Sequence, residues 1–328
     1  MKRIVIDIYG ADAGIEPVVG GAAKALKAGY DFYPIFVGDE ASVNAIMESE
    51  GIDRVRYETL HTDKFITNND PPTAVFAGND AASLVMAFDR LKKDDSCDAL
   101  ISAGSTGAML VASICRLGLV GKMKYPALCS ALPCGREDSL LCLVDCGANV
   151  DCTAADLVRF AKLGDVFCKV RCGLESPRVG LMSVGREAGK GNNLTKEAYE
   201  LISELPINFV GNLEGSDMVS RYADVIVTDG FSGNLLLKNT EAVGLMAAEI
   251  VKKVAAGSNS ELVDKITAAL YKTFDFNSQG AATFLGPKKT VVKMHGSANE
   301  DTTVSTIEQV LILENSGFSS EIARVMQD

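Results

Sequence analysis

The sequence contains no tryptophan, and aromatic residues make up only 6% of its 328 positions, whereas hydrophobic residues make up 47%. A chain of this length can bury a substantial core, and the composition requires that core to be mostly aliphatic. An aliphatic composition rich in alanine and glycine is typical of α/β proteins and disfavours a β-sandwich.

Long apolar runs and an excess of positive charge are also lacking. No run reaches the length of a membrane span, and the opening residues MKRIVIDIYG are typical of a first strand and not of a signal peptide. The formal net charge of −11 argues against nucleic acid as the main partner. An anionic substrate would therefore need a local site of basic groups or backbone N–H groups.

Metal-ligand patterns are missing as well. The chain has only two histidines, His61 and His295, and none of its nine cysteines forms a C-x-x-C pair. This spacing does not fit a zinc site, so the sequence predicts neither a metal nor a cofactor.

The nine cysteines all lie between Cys97 and Cys172, several of them inside apolar runs. We expect them to be reduced core residues of a cytoplasmic protein. The alternative is that Cys146 or Cys152, each near a strand end, forms an acyl-enzyme, although no histidine is near either in sequence.

What the sequence does contain is one repeated pattern, in which a short apolar run ends in a turn of small polar residues and a helical period follows. This alternation predicts a mostly parallel sheet with helices on both faces. We expect one α/β/α domain over residues 1–328. The predicted helices are Glu16–Ala28, Ser42–Glu50, Ala108–Leu117, Ala154–Cys172, Leu194–Leu205, Leu235–Ala256 and Thr302–Asn315.

Five strand ends carry turns rich in glycine and small polar residues: SAGSTGA, DCGANVD, GREAGKGNN, DGFSGN and HGSAN. Ligands of open α/β sheets bind beyond the carboxyl ends of the strands. Glycines there let the backbone approach a ligand, and helix N-termini direct N–H groups at anions. The five turns therefore predict one convergent site for an anion such as phosphate. A P-loop and a G-x-G-x-x-G turn after the first strand are both absent.

Ordinary helix capping is the alternative explanation of these turns. Asn149 or Asn193 would be an N-cap, and Asp229 and Asn234 would bracket a helix start. Capping accounts for only part of the set. The residues that it does not explain are Lys190, Lys238 and His295.

The residues resemble those of the phosphate acyltransferase (PlsX) family over nearly the whole chain. The stretches that carry the resemblance are SAGSTGA, PALCSALP, LVDCGANVDC, SPRVGLMSVG, GKGN with LTKEAYEL, INFVGNLEG, ADVIVTDGFSGNLLLK and HGSAN. The resemblance implies a three-layer fold like that of phosphotransacetylase and isopropylmalate dehydrogenase. It also implies a homodimer that makes acyl-phosphate from acyl-acyl carrier protein and inorganic phosphate at the start of phospholipid synthesis. Loose association with the membrane is a further property of that family.

The sequence departs from the family pattern at a few positions. Ala11 and Ala13 replace residues of the first turn, Ser105 replaces an asparagine, and Arg186 stands in a turn that is usually acidic. The segment FAGNDAAS lacks the family's basic residues. These departures indicate a divergent member, and one with another thioester donor such as acyl-CoA fits them.

Phosphate is itself a nucleophile and a thiolate is a good leaving group, with a pKa of about 8.5. The site must therefore hold two anionic species together and stabilise an oxyanion. We expect Lys190 to be the cation, Asn192 and Asn234 to be donors, and His295 to serve in proton transfer or oxyanion binding. Ser102, Ser105 and Thr106 are expected to contact phosphate. The remaining predicted contacts are Gly104, Asn149, Asn193, Asp229, Ser232, Lys238 and Ser297.

Two other functions remain compatible with the sequence. One is an acyl-releasing subunit of an anaerobic reductase complex of the glycine reductase type, which would use a cysteine thioester. The other is a non-catalytic paralogue on the same fold.

Two amphipathic segments predict a helical excursion near residues 235–285. One carries an apolar stripe through Leu237, Val243, Met246 and Ile250. The other, SELVDKITAALYKTFDF, carries Leu262, Ile266, Ala269, Leu270 and Phe274 on one face, beside Lys265 and Lys272. We expect the two helices to pack across a two-fold axis as a dimer bundle. With so few lysines, contact with a membrane should be weak.

Overall fold

A computed structural model describes residues 1–76, 78–133, 140–219, 222–255, 260–274 and 280–327. The strands are β1 (Lys2–Asp7), β2 (Phe32–Gly38), β3 (Glu58–His61), β4 (Ala99–Ser102), β5 (Ala127–Pro133), β6 (Leu140–Val144), β7 (Val179–Met182), β8 (Phe209–Leu213), β9 (Val225–Val227), β10 (Ala282–Leu285) and β11 (Thr290–Lys293). The helices are α1 (Glu16–Lys27), α2 (Glu40–Ser49), α3 (Ser83–Lys93), α4 (Thr106–Ala112), α5 (Ala154–Cys172), α6 (Asn193–Ser203), α7 (Gly230–Val254), α8 (Ser260–Phe274), α9 (Glu300–Asn315) and α10 (Phe318–Val325).

These elements fall into two compact units, which we call unit 1 (residues 1–128 and 280–328) and unit 2 (residues 129–279). The sequence alone predicted a single domain, and its alternating pattern does not reveal this division, because both units repeat the same strand–turn–helix motif. That all 328 residues work as one domain stays a prediction.

In unit 1 the strands follow the order β3-β2-β1-β4-β11-β10. All neighbours are parallel except β10 and β11. Alternate residues of β1, such as Ile4 and Ile6, share a buried core cluster with Val18 and Val19 of α1 and Ile307 of α9. This two-residue period places one face of the strand against those helices.

In unit 2 the order is β5-β6-β9-β7-β8, with β5 antiparallel to β6 and the other neighbours parallel. Helix α5 packs closely on the middle of this sheet, because Gly164 leaves no side chain there. A Cβ at Gly164 would lie 2.7 Å from a methyl carbon of Val225 on β9. Mostly parallel sheets with flanking helices confirm the predicted α/β/α class.

Helices α1 and α5 begin at the predicted residue, and α5 matches its predicted bounds at both ends. Helix α7 differs, because it begins at Gly230 and not at Leu235. Two caps are also corrected. Thr153, and not Asn149, caps α5 through a reciprocal bond with Asp156, and Asn192, and not Asn193, caps α6. Residues 256–259 and 275–279 of the predicted helical excursion lie outside the described residues.

Candidate active site

The loop after β6 is organised by one buried carboxylate, that of Asp145, whose exposed fraction is 0%. Its two oxygens accept hydrogen bonds from the N–H groups of Gly147, Ala148 and Asn149 at 2.8–3.0 Å. The side-chain amide of Asn149 donates a further bond of 2.6 Å. Such a carboxylate fixes the shape of the loop. The sequence analysis did not select Asp145, although an aspartate directly after the apolar run LLCLV was the available signal.

The start of α7 lies directly against this loop. The N–H of Gly230 donates to the carbonyl oxygen of Asn149 at 2.7 Å. A Cβ at Gly233 would lie 1.9 Å from the backbone oxygen of Asp145, and a Cβ at Gly230 would lie 2.5 Å from that of Asn149. Only glycine allows this approach, so the DGFSGN motif serves backbone packing as well as capping.

Three other predicted residues lie in the first turns of α7. Asp229 is the N-cap, and its carboxylate accepts bonds from the N–H and the hydroxyl of Ser232. Asn234 is exposed and lies beside Gly147, with its Oδ1 3.4 Å from the position of a Cβ there. Lys238, one turn later, forms an exposed ion pair with Glu241 at 2.8 Å. Of these residues, Asn234 is the side chain best placed to donate to a ligand at the strand end.

The turn after β7 holds Lys190 and Asn192. Gly191 has a φ of +113°, and a Cβ there would lie 2.0 Å from the Thr195 hydroxyl, so the turn requires glycine. The Oδ1 of Asn192 accepts the N–H of Thr195 at 2.9 Å, which leaves the amide NH₂ as a donor. Lys190 is exposed, and within the described part of the chain its ammonium group has no carboxylate partner.

Arg186, in the same turn, has a structural role. Its guanidinium pairs with the buried carboxylate of Asp217 at 2.5 Å and lies over the ring of Tyr222. The carboxylate of Asp217 also accepts the N–H of Glu214. Because Arg186 is held in this way, the cation that the turn offers to a ligand is Lys190.

These three turns of unit 2 lie at one edge of one sheet. Strands β6, β9 and β7 are parallel neighbours, so their carboxyl ends meet at the same edge. The loop of Asp145, the cap of Asp229 and the turn of Lys190 follow those three ends. The structure therefore brings together three of the five turns that the sequence singled out.

A second group of polar residues lies at the carboxyl edge of unit 1. Asp7, Ser102 and Lys293 end the parallel neighbours β1, β4 and β11 and stand in register across the sheet. The hydroxyl of Ser102 donates to Asp7 at 2.7 Å and accepts the N–H of Gly104 at 2.9 Å. The Ser102 side chain is buried and its hydroxyl is used inside the protein, so it shapes the SAGSTG turn.

Burial raises the pKa of Asp7 to about 6, against the hydrogen bonds from the Ser102 hydroxyl and the Tyr9 N–H, which act to lower it. Lys293, whose ammonium donates to the carbonyl oxygens of Ala103 and Met294, ties β11 to the turn after β4. Sequence reasoning missed both residues as part of a site. Each is a charged residue at the end of an apolar run, which was the signal available.

The remaining candidates of unit 1 lie in two turns. Ser105 caps α4, so the serine in place of the family's asparagine keeps the capping function. Thr106 is the first residue of that helix and is partly exposed. His295 is exposed, and its Nδ1 accepts the N–H of Ser297 at 3.2 Å and lies 2.7 Å from the Ser297 hydroxyl. This acceptor role places the proton of the neutral imidazole on Nε2.

The first loop of the chain closes against the HGSAN turn. The N–H of Asp12 donates to the carbonyl oxygen of Gly296 at 2.7 Å. Gly10, with a φ of +100°, approaches the backbone of Gly104 so closely that a Cβ would lie 2.5 Å from it. The turns after β1, β4 and β11 are thus joined within unit 1. That the turns of both units line one pocket stays a prediction.

The two cysteines that could have formed an acyl-enzyme are not activated. Burial raises the pKa of the Cys146 thiol to about 12, and the charge of Asp145 adds to this effect. Burial likewise raises the pKa of Cys152 to about 12. Since the thiolate is the nucleophile, neither side chain is prepared for attack on a thioester at neutral pH.

Comparison with known proteins adds independent information. Residues 2–321 match a family described as fatty acid synthesis protein. A phosphate acyltransferase of Clostridioides difficile (strain 630) is 36% identical over 315 residues, which cover 94% of this chain and 91% of the relative. A phosphate acyltransferase of Bacillus anthracis is 36% identical over 333 residues, covering 99% and 98%.

Solved structures support the fold. A phosphotransacetylase from Streptococcus pyogenes matches with a TM-score of 0.63 and 17% identity, over 95% of this chain and 94% of that one. A branched-chain phosphotransacylase from Enterococcus faecalis V583 matches with a TM-score of 0.58 and 15% identity, over 95% and 98%. The predicted resemblance, fold class and enzyme class are confirmed. The chain therefore belongs to the fatty acid synthesis protein family, together with the phosphate acyltransferases that it resembles.

Proposed function

We propose that this enzyme transfers a fatty acyl group from the thioester of acyl-acyl carrier protein to inorganic phosphate, giving acyl-phosphate for phospholipid synthesis. The observation that carries the proposal is a set of glycine-rich strand-end turns with N–H donors and one unpaired lysine, beside cysteines whose pKa values are raised. Such an edge can bind anions, and it offers no activated thiolate to take up the acyl group.

The reaction needs no covalent intermediate on the protein. A phosphate oxygen attacks the thioester carbonyl carbon, and the carbonyl electrons move onto oxygen. When the tetrahedral intermediate collapses, the carbon–sulfur bond breaks and the thiolate leaves, to be protonated afterwards. The protein's contribution is to position two anionic reactants and to stabilise the oxyanion.

In this proposal the exposed side chains contact the substrates. Lys190 supplies positive charge, and the free amide N–H groups of Asn192 and Asn234 donate hydrogen bonds. The Nε2–H of His295 donates a hydrogen bond to phosphate or to the oxyanion, since Nδ1 accepts the N–H of Ser297.

The buried members of the predicted set act by positioning. Ser102 and Asn149 use their polar atoms to hold the turns after β4 and β6. Asp229 and Ser232 bind each other at the start of α7. Ser105 and Thr106 remain the proposed phosphate contacts at α4. The other proposed contacts, each within the turn of its own unit, are Gly104, Asn193, Lys238 and Ser297.

The direct test is to incubate the pure protein with acyl-acyl carrier protein or acyl-CoA, with and without inorganic phosphate. Release of free thiol that requires phosphate, with acyl-phosphate as the product, is the expected result. An acyl group found on Cys146 or Cys152 would support the glycine reductase type of reaction instead. Absence of any thiol release would support a non-catalytic paralogue. The relative rates with the two donors identify the physiological thioester.

We also infer a homodimer that is cytoplasmic and touches the membrane only weakly. Val243, Met246 and Ile250 of α7 are each about half exposed, although α7 and α8 pack together. Phe274 of α8 fills the space over Gly244, where a Cβ would lie 2.2 Å away. The apolar stripe of α7 is therefore not covered by α8, and we infer that a second copy of the chain packs on it. No helix in the described part of the chain is long and apolar enough to cross a bilayer.

A further inference from the structure

Three cysteines lie side by side inside unit 2, one on a strand and two on a helix that follows it in the chain. Cys142 lies on β6, and Cys168 and Cys172 lie one helical turn apart on α5, so that both face the strand. The three sulfur atoms lie within 4.8 Å of one another, and those of Cys142 and Cys172 are 3.8 Å apart. We call this set the thiol cluster.

The spacing in the thiol cluster matches that of ligands on one metal ion. Two sulfurs bound to one zinc ion, with bonds of about 2.3 Å in tetrahedral geometry, lie about 3.8 Å apart. The side chains could therefore bind a metal with little movement of the backbone. Cys142 and Cys168 are buried, whereas Cys172 is partly exposed and provides the route from solvent.

A fourth cysteine, Cys129, lies next to Cys142 on the neighbouring strand. Cys129 on β5 pairs with Val144, and Cys142 pairs with Ala131, so the two cysteines lie diagonally on the same face of adjacent strands. The Cys129 side chain is completely buried. Four sulfur ligands would complete the tetrahedral coordination that structural zinc sites use.

Metal binding converts the thiols of the cluster to thiolates, so the negative charge that this creates must be balanced. A divalent ion would neutralise two of the charges on the bound thiolates. Arg171 would offset part of the remaining negative charge.

We propose that the thiol cluster binds one thiophilic d10 metal ion, of which zinc(II) is the best fit, with Cys129 as the fourth ligand. Binding releases the thiol protons to solvent as the metal–sulfur bonds form. The ion would cross-link the C-terminal half of α5 to β6, the strand that precedes the Asp145 loop. This inference departs from the expectation, based on the missing C-x-x-C pairs, that the chain has no metal site. It does not depend on the proposed reaction.

The test measures metal binding by the full chain after reduction and removal of bound metal. The protein is titrated with zinc(II) against a chromophoric indicator, and with cadmium(II) while the sulfur-to-metal charge-transfer absorption is recorded. A second sample is unfolded in denaturant and refolded with zinc(II), so that burial of the thiols does not prevent entry. We expect about one ion per chain, a charge-transfer band, and a higher Tm with metal than without it.

The variants compare cysteines inside and outside the thiol cluster. Cys168→Ser should weaken zinc binding by far more than about 10-fold and abolish the metal-dependent rise in Tm, since it removes a direct ligand. Cys129→Ala should weaken binding without abolishing it. Cys115→Ser changes an exposed thiol and is the matched control, with unchanged binding.

Binding of less than stoichiometric metal after refolding would overturn the proposal and leave the cluster as packed, reduced thiols. So would binding that survives in Cys168→Ser at full affinity. In contrast, failure of phosphate-dependent thiol release would count against the proposed reaction and leave the metal site untouched.

Discussion

Two aspartates at strand ends illustrate how a buried carboxylate is stabilised to different degrees. Asp145 accepts four N–H bonds from its own loop, whereas Asp7 receives one short bond from Ser102 and a long one from the Tyr9 N–H. The apolar surroundings of Asp7 therefore dominate and raise its pKa to about 6.

Asp7 makes the stability of the protein depend on pH. Its pKa is about 6 in the folded state and 3.8 in the reference state, so the folded state binds the proton more tightly. The contribution to the free energy of unfolding is present below pH 4 and is lost as pH rises towards 6, a change of about 3 kcal/mol. Asp7→Asn should remove this dependence. Urea unfolding at pH 5 and pH 8 should show the variant gaining stability relative to wild type at the higher pH, and an equal difference at both pH values would contradict the prediction.

Lys190 should be required for turnover and not for folding. We expect Lys190→Ala to lower kcat/KM at least about 100-fold, because it removes a cation from the oxyanion or phosphate site. Thermal unfolding should be unchanged, since the side chain is exposed and unpaired. Lys196→Ala, which removes an exposed lysine from α6, is the control and should keep full activity. A Lys190→Ala enzyme with wild-type kcat/KM would refute the role.

At the scale of residues, the sequence offers candidates among exposed side chains more readily than among buried ones. Lys190 and His295 could be selected because no capping rule explained them. The roles of Ser102 and Asn149 could not be predicted, because they depend on the neighbouring strand and on the fold of the loop. The ion pair of Arg186 with Asp217 joins residues 31 positions apart and is invisible in a local pattern.

At the scale of elements, the start of α7 shows how helix propensity can predict the wrong first residue of a helix. The stretch GFSGN contains two glycines, which disfavour a helix interior, so the sequence predicted a start at Leu235. Helix α7 nevertheless starts at Gly230, because Asp229 caps it and both glycines are needed for contact with the Asp145 loop. Helix α5 could be predicted to the residue because a capping box opens it and Gly173, in the left-handed conformation, ends it.

Helix α3 has an unusual C-terminal cap, the ammonium group of Lys289 on a distant segment of unit 1. It donates to the carbonyl oxygens of Leu91, Asp94 and Cys97 at 2.8–3.0 Å. Lys289→Met should lower the free energy of unfolding by about 3 kcal/mol, because three carbonyl groups lose a charged donor. Lys288→Met changes the exposed neighbour and should have little effect. Equal denaturation midpoints for the two variants would show that the cap contributes nothing.

At the scale of the whole molecule, the exposed apolar stripe of α7 predicts a dimer. Light scattering should report a dimer, and Met246→Glu should shift it towards the monomer, because it places a charge in the exposed stripe of α7. Lys196→Glu introduces the same residue on α6 and should leave the dimer intact. A monomer at every concentration of the wild-type protein would reject the bundle.

Co-sedimentation of the protein with anionic vesicles should be slight and salt-sensitive. Tight, salt-resistant binding to the vesicles would reject weak membrane contact.

The contact between α7 and the Asp145 loop fixes the first turn of α7, so any rotation of the helix is about that turn. A helix of 25 residues is about 37 Å long, and glycine contacts at Gly230 and Gly233 fix one end of it. Rotation about that end by a few degrees moves the far end by a few ångströms, whereas the first turn moves by only a few tenths. A partner copy that restrains the middle and far end of α7 would therefore hold Asn234 to within a fraction of an ångström. Dimerisation would in this way fix the position of Asn234 at the strand ends, even though no residue of the partner needs to reach them.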